Sequence, residues 1–265
     1  MLGRRFGWAA DHVRAFDIVT ADGELRTVTA QSEPDLFWAV RGGKSNFGVV
    51  VSLTFSLMPV PRFYGGGLYF DAERADPVLS EFRRLAGLED DRVSVSFAFL
   101  RLPPAPFVPE PLRGKVIAHL RFSHLGTAEE GEALLAPVRA AAPALIDLAQ
   151  ERPYTEYAVV HNDPVDPLPA YERTTMLTGF PPEAAQAFVE TAGAGVDTPS
   201  WSPRSAAWAG LSAESPRWPM RSAIETRRSP CGWEQPVLRG IQRRWRALLT
   251  RFWMPWRRGS ILGRY

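Results

Sequence analysis

Apolar positions recur along this chain with two different periods, and the changes of period fall at Gly, Pro and capping residues. Two apolar-rich runs within 15–30 flank Ala21-Asp22-Gly23-Glu24, a spacing that predicts a β-hairpin. Ser32-Glu33-Pro34-Asp35 has the Ser-x-x-acid pattern of a helix start. A helix carrying Leu36, Phe37 and Trp38 in its core is therefore expected, stopped by Gly42 and Gly43. The β-branched run 49–57 predicts a strand, bounded by Pro59 and Pro61.

The next 140 or so residues use both periods in turn. A short strand is expected over 68–70. Asp76-Pro77 supplies an N-cap and a first-turn proline for a helix with Val78, Leu79, Phe82 and Leu85 on one face, ending at Gly87. Val93, Val95, Phe97 and Phe99 alternate with polar residues, as do Val116, Ala118, Leu120 and Phe122, so two half-buried strands are expected. Thr127 and Glu130 form a capping box for a helix through Arg139, and Pro182 opens another that ends at Gly193. Antiparallel strands with helices on one face make this an α+β chain.

Beyond about residue 199 the pattern stops. The net charge of +2 divides into −8 for residues 1–199 (18 basic, 26 acidic) and +10 for 200–265 (13 arginines, three glutamates). Seven of the nine tryptophans lie in that last part, and neither they nor the arginines follow a helical or strand period. Local signals that contradict one another argue against an evolved packed unit, so residues 200–265 are expected to be poorly ordered. The chemistry on offer elsewhere is narrow. One cysteine, Cys231, excludes an internal disulfide, and the four histidines lack metal-ligand spacing, so no metal is expected. No apolar run is long enough for a membrane span and no signal-peptide core follows Arg4 and Arg5, so a cytoplasmic location is expected. His119 falls on the polar side of its strand, which is either the substrate side or, as expected here, plain surface. His124 and His161 are expected in loops, and Tyr154 and Tyr157 in core packing, with a substrate pocket as the alternative.

One stretch stands out: Asp35-Leu36-Phe37-Trp38-Ala39-Val40-Arg41-Gly42-Gly43-Lys44-Ser45-Asn46-Phe47-Gly48-Val49-Val50. A helix runs into a Gly-rich turn and straight out into a strand, a layout that lets backbone N–H groups approach an anionic ligand. With Gly3-Arg4-Arg5-Phe6-Gly7-Trp8-Ala9-Ala10-Asp11-His12-Val13 and Val19-Thr20-Ala21-Asp22-Gly23, it resembles the end of the flavin domain of the berberine bridge enzyme-like oxidoreductases. These belong to the vanillyl-alcohol oxidase superfamily, with a PCMH-type FAD-binding fold. Trp8, His12, Lys44, Ser45 and Val51 depart from the family pattern, and side chains at 44 and 45 narrow the room for a close cofactor approach.

The resemblance implies FAD as cofactor and a small-molecule substrate, with no nucleic-acid or membrane partner. Hydride transfer from an alcohol or amine carbon to flavin would be followed by reoxidation by O₂. It places Gly7, Ala10, Asp11, His12, Asn46, Gly48, Val49 and Val50 at the cofactor, assigns no catalytic residue, and divides the chain into a partial flavin domain (1–61), a substrate domain (62–199) and the Arg/Trp tail. By the same comparison the chain is expected to begin inside a domain, without the family's covalent flavin attachment residues. Residues from about Ser200 onward read as a frameshift product, since a neighbouring register restores family-like sequence. Weak FAD binding and impaired activity are the resulting expectations. The alternatives are a non-catalytic fragment, or a tail that binds nucleic acid or an anionic membrane.

Overall fold

The computed structural model describes residues 2–163, 177, 179–196 and 208–212. Two antiparallel sheets organise it. The first is built from β1 (Val13–Val19), β2 (Leu25–Thr29) and β3 (Val49–Phe55) in the order β2-β1-β3. The expected hairpin is present, its turn closed by Gly23 at φ 82°. Helix α1 (Gly3–Phe6) and a 3₁₀ turn (Ala9–His12) lead into β1, and α2 (Pro34–Gly43) packs Phe37 onto Phe16, Ile18 and Val28. The Ser32 hydroxyl does not cap α2. It accepts the Thr29 N–H at 3.0 Å, while the Thr29 hydroxyl accepts from Gln31 and Ser32, a local turn that competes with the cap. Trp38, expected in the helix core, is 75% exposed because α2 covers only β1 and β2.

The second sheet contains β4 (Arg62–Asp71), β5 (Val93–Arg101), β6 (Val116–His124), β7 (Ile146–Asp147), β8 (Gln150–Pro153) and β9 (Trp208–Ser212). Its order is β7-β4-β6-β5-β9, with β8 also paired to β4. Helices α3 (Ala75–Ala86), α4 (Ala128–Ala141) and α5 (Pro182–Ala192) pack on one face. The alternation of β5 and β6 delivers Val93, Val95, Phe97, Phe99, Ala118, Leu120 and Phe122 to those helices. The Thr127/Glu130 capping box forms as expected, with Thr127 N–H donating to Glu130 at 2.9 Å and Glu130 N–H to Thr127 at 3.2 Å. Asp76 lies inside the first turn of α3 rather than capping it. The chain enters that helix through a 3₁₀ turn (Ala72–Arg74) whose Glu73 N–H is accepted by Asp71.

Strands β4 and β9 differ from the sequence pattern. Strand β4 is ten residues long, not three, because Gly65-Gly66-Gly67 continue it. A Cβ on Gly65 would fall against the Phe122 carbonyl, and one on Gly66 against Leu148, so these glycines serve close strand packing rather than a turn. Within the Arg/Trp tail, 208–212 form β9 along the edge of β5, with Leu211 opposite Phe97; the rest of 200–265 lies outside the described residues.

Phe97 sits at the centre of the aromatic core, with ring centroids 5.3 Å from Phe99, 6.0 Å from Phe82 and 6.2 Å from Phe188. Phe97→Ala is expected to destabilise the chain by about 3 kcal/mol, read from the shift in urea midpoint at constant slope.

Candidate functional site

The residues that the sequence assigns to a cofactor fall in two patches. Gly7, Ala10, Asp11 and His12 immediately precede β1, whereas Asn46, Gly48, Val49 and Val50 lie beside its far end, where Val49 pairs with Val19 and Val50 with Ile18. Six residue steps of strand put the patches about 20 Å apart, so one ligand touching both must be extended.

Most polar side chains in these patches are engaged internally. Asp11 accepts the Trp8 N–H at 2.8 Å, His12 Nε2 lies 2.6 Å from the Phe6 carbonyl, and the Asn46 amide donates to the Gly43 carbonyl at 2.7 Å. Gly48 has φ 148°, and a Cβ there would collide with the Val19 carbonyl. A Cβ on Gly43 would strike the Phe47 ring, while one on Gly42 meets nothing within 4 Å. Two of the turn's glycines thus serve the chain's own packing, and Gly42 alone leaves open space.

Beside the turn, Thr20, Asp22, Arg26, Leu36, Asn46 and Phe47 line an open groove of about 480 Å³. Its Asp22 carboxylate is pushed down to about 2, chiefly by the Thr20 hydroxyl, and pairs with Arg26 at 2.6 Å. An ionised carboxylate already paired to the nearest guanidinium does not suit a pyrophosphate. These residues fit a flavin nucleotide as one wall of backbone and apolar contacts. They do not form its phosphate cradle.

A second site lies on the far face of the six-stranded sheet, opposite the helices. The registers of β4, β6 and β5 align three cross-strand rows: Gly65–Ser123–Ser94, Gly67–Arg121–Ser96 and Tyr69–His119–Ala98. His119, expected at the surface, is 0% exposed, and Arg121 is 5% exposed. The Tyr69 ring stacks on His119 at 4.1 Å and 12°. A 3₁₀ turn (Tyr154–Val160) crosses the same face, where Tyr157 packs on Phe63 at 4.8 Å and its hydroxyl lies 3.1 Å from that of Ser123. His161, from the end of that turn, adds to the positive surroundings of His119, and Asp163 offsets Arg121.

Burial, reinforced by Arg121, holds the His119 pKa well below its usual value, so the ring is neutral near pH 7. Arg121 Nε donates to His119 Nδ1 at 3.2 Å, which puts the imidazole proton on Nε2. That Nε2–H has no acceptor among the described residues, and the buried Ser96 hydroxyl has no partner there either. Buried polar atoms without partners are uncommon enough to mark a place where a ligand or water completes the bonding. Burial also raises the Tyr157 phenol to about 12, so it remains a neutral donor or acceptor. The pattern is partly visible in the sequence. His119, Arg121 and Ser123 alternate with Ala118, Leu120 and Phe122, yet alternation alone does not reveal that a second layer covers the polar side. His124, expected in a loop, instead ends β6, fully buried with neither ring nitrogen partnered among the described residues.

No family model matches the sequence. The chain is 35% identical over 80 residues to the FAD-dependent monooxygenase prx3 of Penicillium roqueforti, covering 30% of this chain and 16% of that protein. It is 32% identical over 96 residues to an uncharacterized FAD-linked oxidoreductase of Arthroderma benhamiae, covering 36% of this chain and 19% of the relative. Its homologues are FAD-linked oxidoreductases. Among solved structures it is similar to 6-hydroxy-D-nicotine oxidase from Arthrobacter nicotinovorans, at 26% identity and a TM-score of 0.49 over 61% of this chain and 34% of that one. The chain spans less than a fifth of the length of these two FAD-linked relatives. Among the described residues no helix is long and apolar enough to cross a membrane, and no group of His, Cys, Asp and Glu side chains is placed to hold a metal.

Proposed function

We propose that this chain serves FAD-linked oxidation of a small molecule, with residues 1–61 contributing one wall of the flavin site and residues 62–199 the substrate-facing sheet. The kinship to FAD-linked oxidoreductases supports the cofactor. The observation that carries the substrate side is the buried polar face, where the His119 Nε2–H and the Ser96 hydroxyl await partners. When bound, a flavin supplies a hydride acceptor for a substrate C–H. The residues of this chain bind and orient: His119 is kept neutral as a hydrogen-bond donor, Arg121 fixes its tautomer, and the Tyr69 ring stacked on it holds its plane. Small-molecule chemistry, with no nucleic-acid or membrane partner and a cytoplasmic location, completes the reading.

Because the wall lacks a phosphate cradle, flavin affinity is expected to be weak. FAD titrated onto the purified chain should quench flavin fluorescence reversibly, with a Kd of about 1 μM or weaker. One flavin per chain retained through gel filtration would overturn the weak-binding expectation. No quenching at about 100 μM chain, a ceiling corresponding to roughly −5 kcal/mol, would overturn the flavin assignment itself.

A further inference from the structure

On the polar face of the six-stranded sheet, one hydrogen-bonding group is fixed in kind as well as in place. Arg121 Nε donates to His119 Nδ1, so the imidazole proton sits on Nε2 and that nitrogen can only donate. The ring cannot turn away to satisfy it. Tyr69 stacks on the imidazole at 4.1 Å, and Nε2 lies over Gly67, at a point that a Cβ on residue 67 would occupy. Gly67 thus keeps clear the position from which His119 donates. The Ser96 hydroxyl, also without a partner among the described residues, can donate or accept and so selects nothing.

The chemistry of Nε2–H restricts what can complete it. A carboxylate, phenolate or carbonyl oxygen brings the lone pair that a buried N–H requires. A protonated amine brings only N–H donors and would leave the histidine as it is. Arg121 disfavours a further positive charge at this position, as it already does on the imidazole itself.

We infer that the substrate sets an oxygen acceptor against His119 Nε2–H above Gly67, and that this contact selects molecules bearing a carboxylate, phenolate or carbonyl over amines. The inference rests on the reading of this face as substrate-facing, and narrows it to a class of substrate. His119 determines specificity here through a hydrogen bond that it donates and keeps, with no proton transferred. Because His119 is fully buried, the ligand enters by shifting the Tyr154–Val160 turn that crosses the face. It thereby exchanges the contacts of Tyr157 with Phe63 and Ser123 for its own.

The test uses the full chain with ¹⁵N-labelled histidine and three one-ring probes: benzoate, benzamide and benzylammonium, each against sodium chloride of equal ionic strength. The His119 side-chain N–H signal is assigned by its loss in His119→Phe. Benzoate or benzamide should shift it with a Kd of about 1 mM, and the tighter of the two tells whether the oxygen recognised is charged. Benzylammonium should leave it unmoved at about 20 mM. His119→Phe should weaken benzoate binding at least tenfold, whereas His119→Gln, which keeps an N–H donor, should hold it within about threefold. The signal of the unaltered chain decides the matter even where a variant fails to fold. A shift with benzylammonium but with neither oxygen probe overturns the substrate class and leaves the face as a substrate site. No shift with any of the three at about 20 mM overturns both. An equal shift with chloride overturns the selection for an oxygen acceptor.

Discussion

Gly48→Ala is expected to destabilise the three-stranded sheet by about 4 kcal/mol, combining the cost of a φ that only glycine adopts readily with the cost of overpacking. Its φ of 148° lies in the region closed to side-chain-bearing residues, and the new Cβ would press on the Val19 carbonyl and lie 3.0 Å from Ile18 Cγ1. Neither neighbour can yield cheaply. Val19 is in the β1–β3 ladder, and Ile18 is fully buried beneath α2. Hydrogen exchange should therefore rise across β1 and β3, while the six-stranded sheet, which holds its own core, keeps its protection. Gly42→Ala gives the contrast. A Cβ there meets nothing, the residue is helical, and alanine should stabilise by somewhat under 1 kcal/mol. If the open space at Gly42 belongs to the proposed flavin wall, the same variant should lower FAD affinity while raising stability. Equal FAD quenching in Gly42→Ala and the parent would remove Gly42 from the wall.

These two glycines show how far the sequence can be read. The helix–turn–strand layout of 35–50 is legible from capping residues, glycines and β-branched residues, because each acts locally. What each glycine is for is not, since the Val19 carbonyl that excludes a Cβ at Gly48 is about 30 residues away in the chain. The same limit explains β4. The expected strand begins only at Leu68, whereas the structure extends it through Gly65-Gly66-Gly67 and uses the missing side chains to bring Phe122 and Leu148 close. Alternation in β5 and β6 identifies the core face residue by residue, and it places His119 on the correct side. The burial of His119 comes from Tyr69 on a neighbouring strand and from the 154–163 segment, contacts that no periodicity in 116–124 encodes. The expectation for Trp38 fails for a similar reason. Helical spacing gives a face, but the width of the sheet beneath α2 decides whether that face is covered.

The buried histidines make stability depend on pH in a defined window. His119 and His124 are both fully buried and both held below the ordinary imidazole pKa, His119 by burial and then Arg121, His124 by burial and then Arg92. Around His124, Glu130 and Asp90 pull the other way without cancelling the depression. A group with a lowered folded pKa binds its proton more readily when unfolded. Its contribution is therefore complete above the unfolded value near 6.5 and is lost as pH falls towards the folded value. Each histidine adds a slope of at most about 1.4 kcal/mol per pH unit within that window, so stability should fall as pH drops from 6.5 towards 5. Carboxylates held low by their partners, such as Glu130 and Glu132, add losses only below about pH 4.5, which separates the two effects. Urea unfolding across pH 4.5–7.5 measures the slope directly. His124→Leu should reduce it and leave stability at pH 7.5 unchanged or higher, because it removes two ring nitrogens that have no hydrogen-bond partner among the described residues. His119→Phe should remove the larger share, since its pKa is held further below the ordinary value. It also takes away the Nε2–H offered to substrate, so a variant with parent-like substrate affinity would separate the histidine's part in stability from the role proposed for it on the polar face.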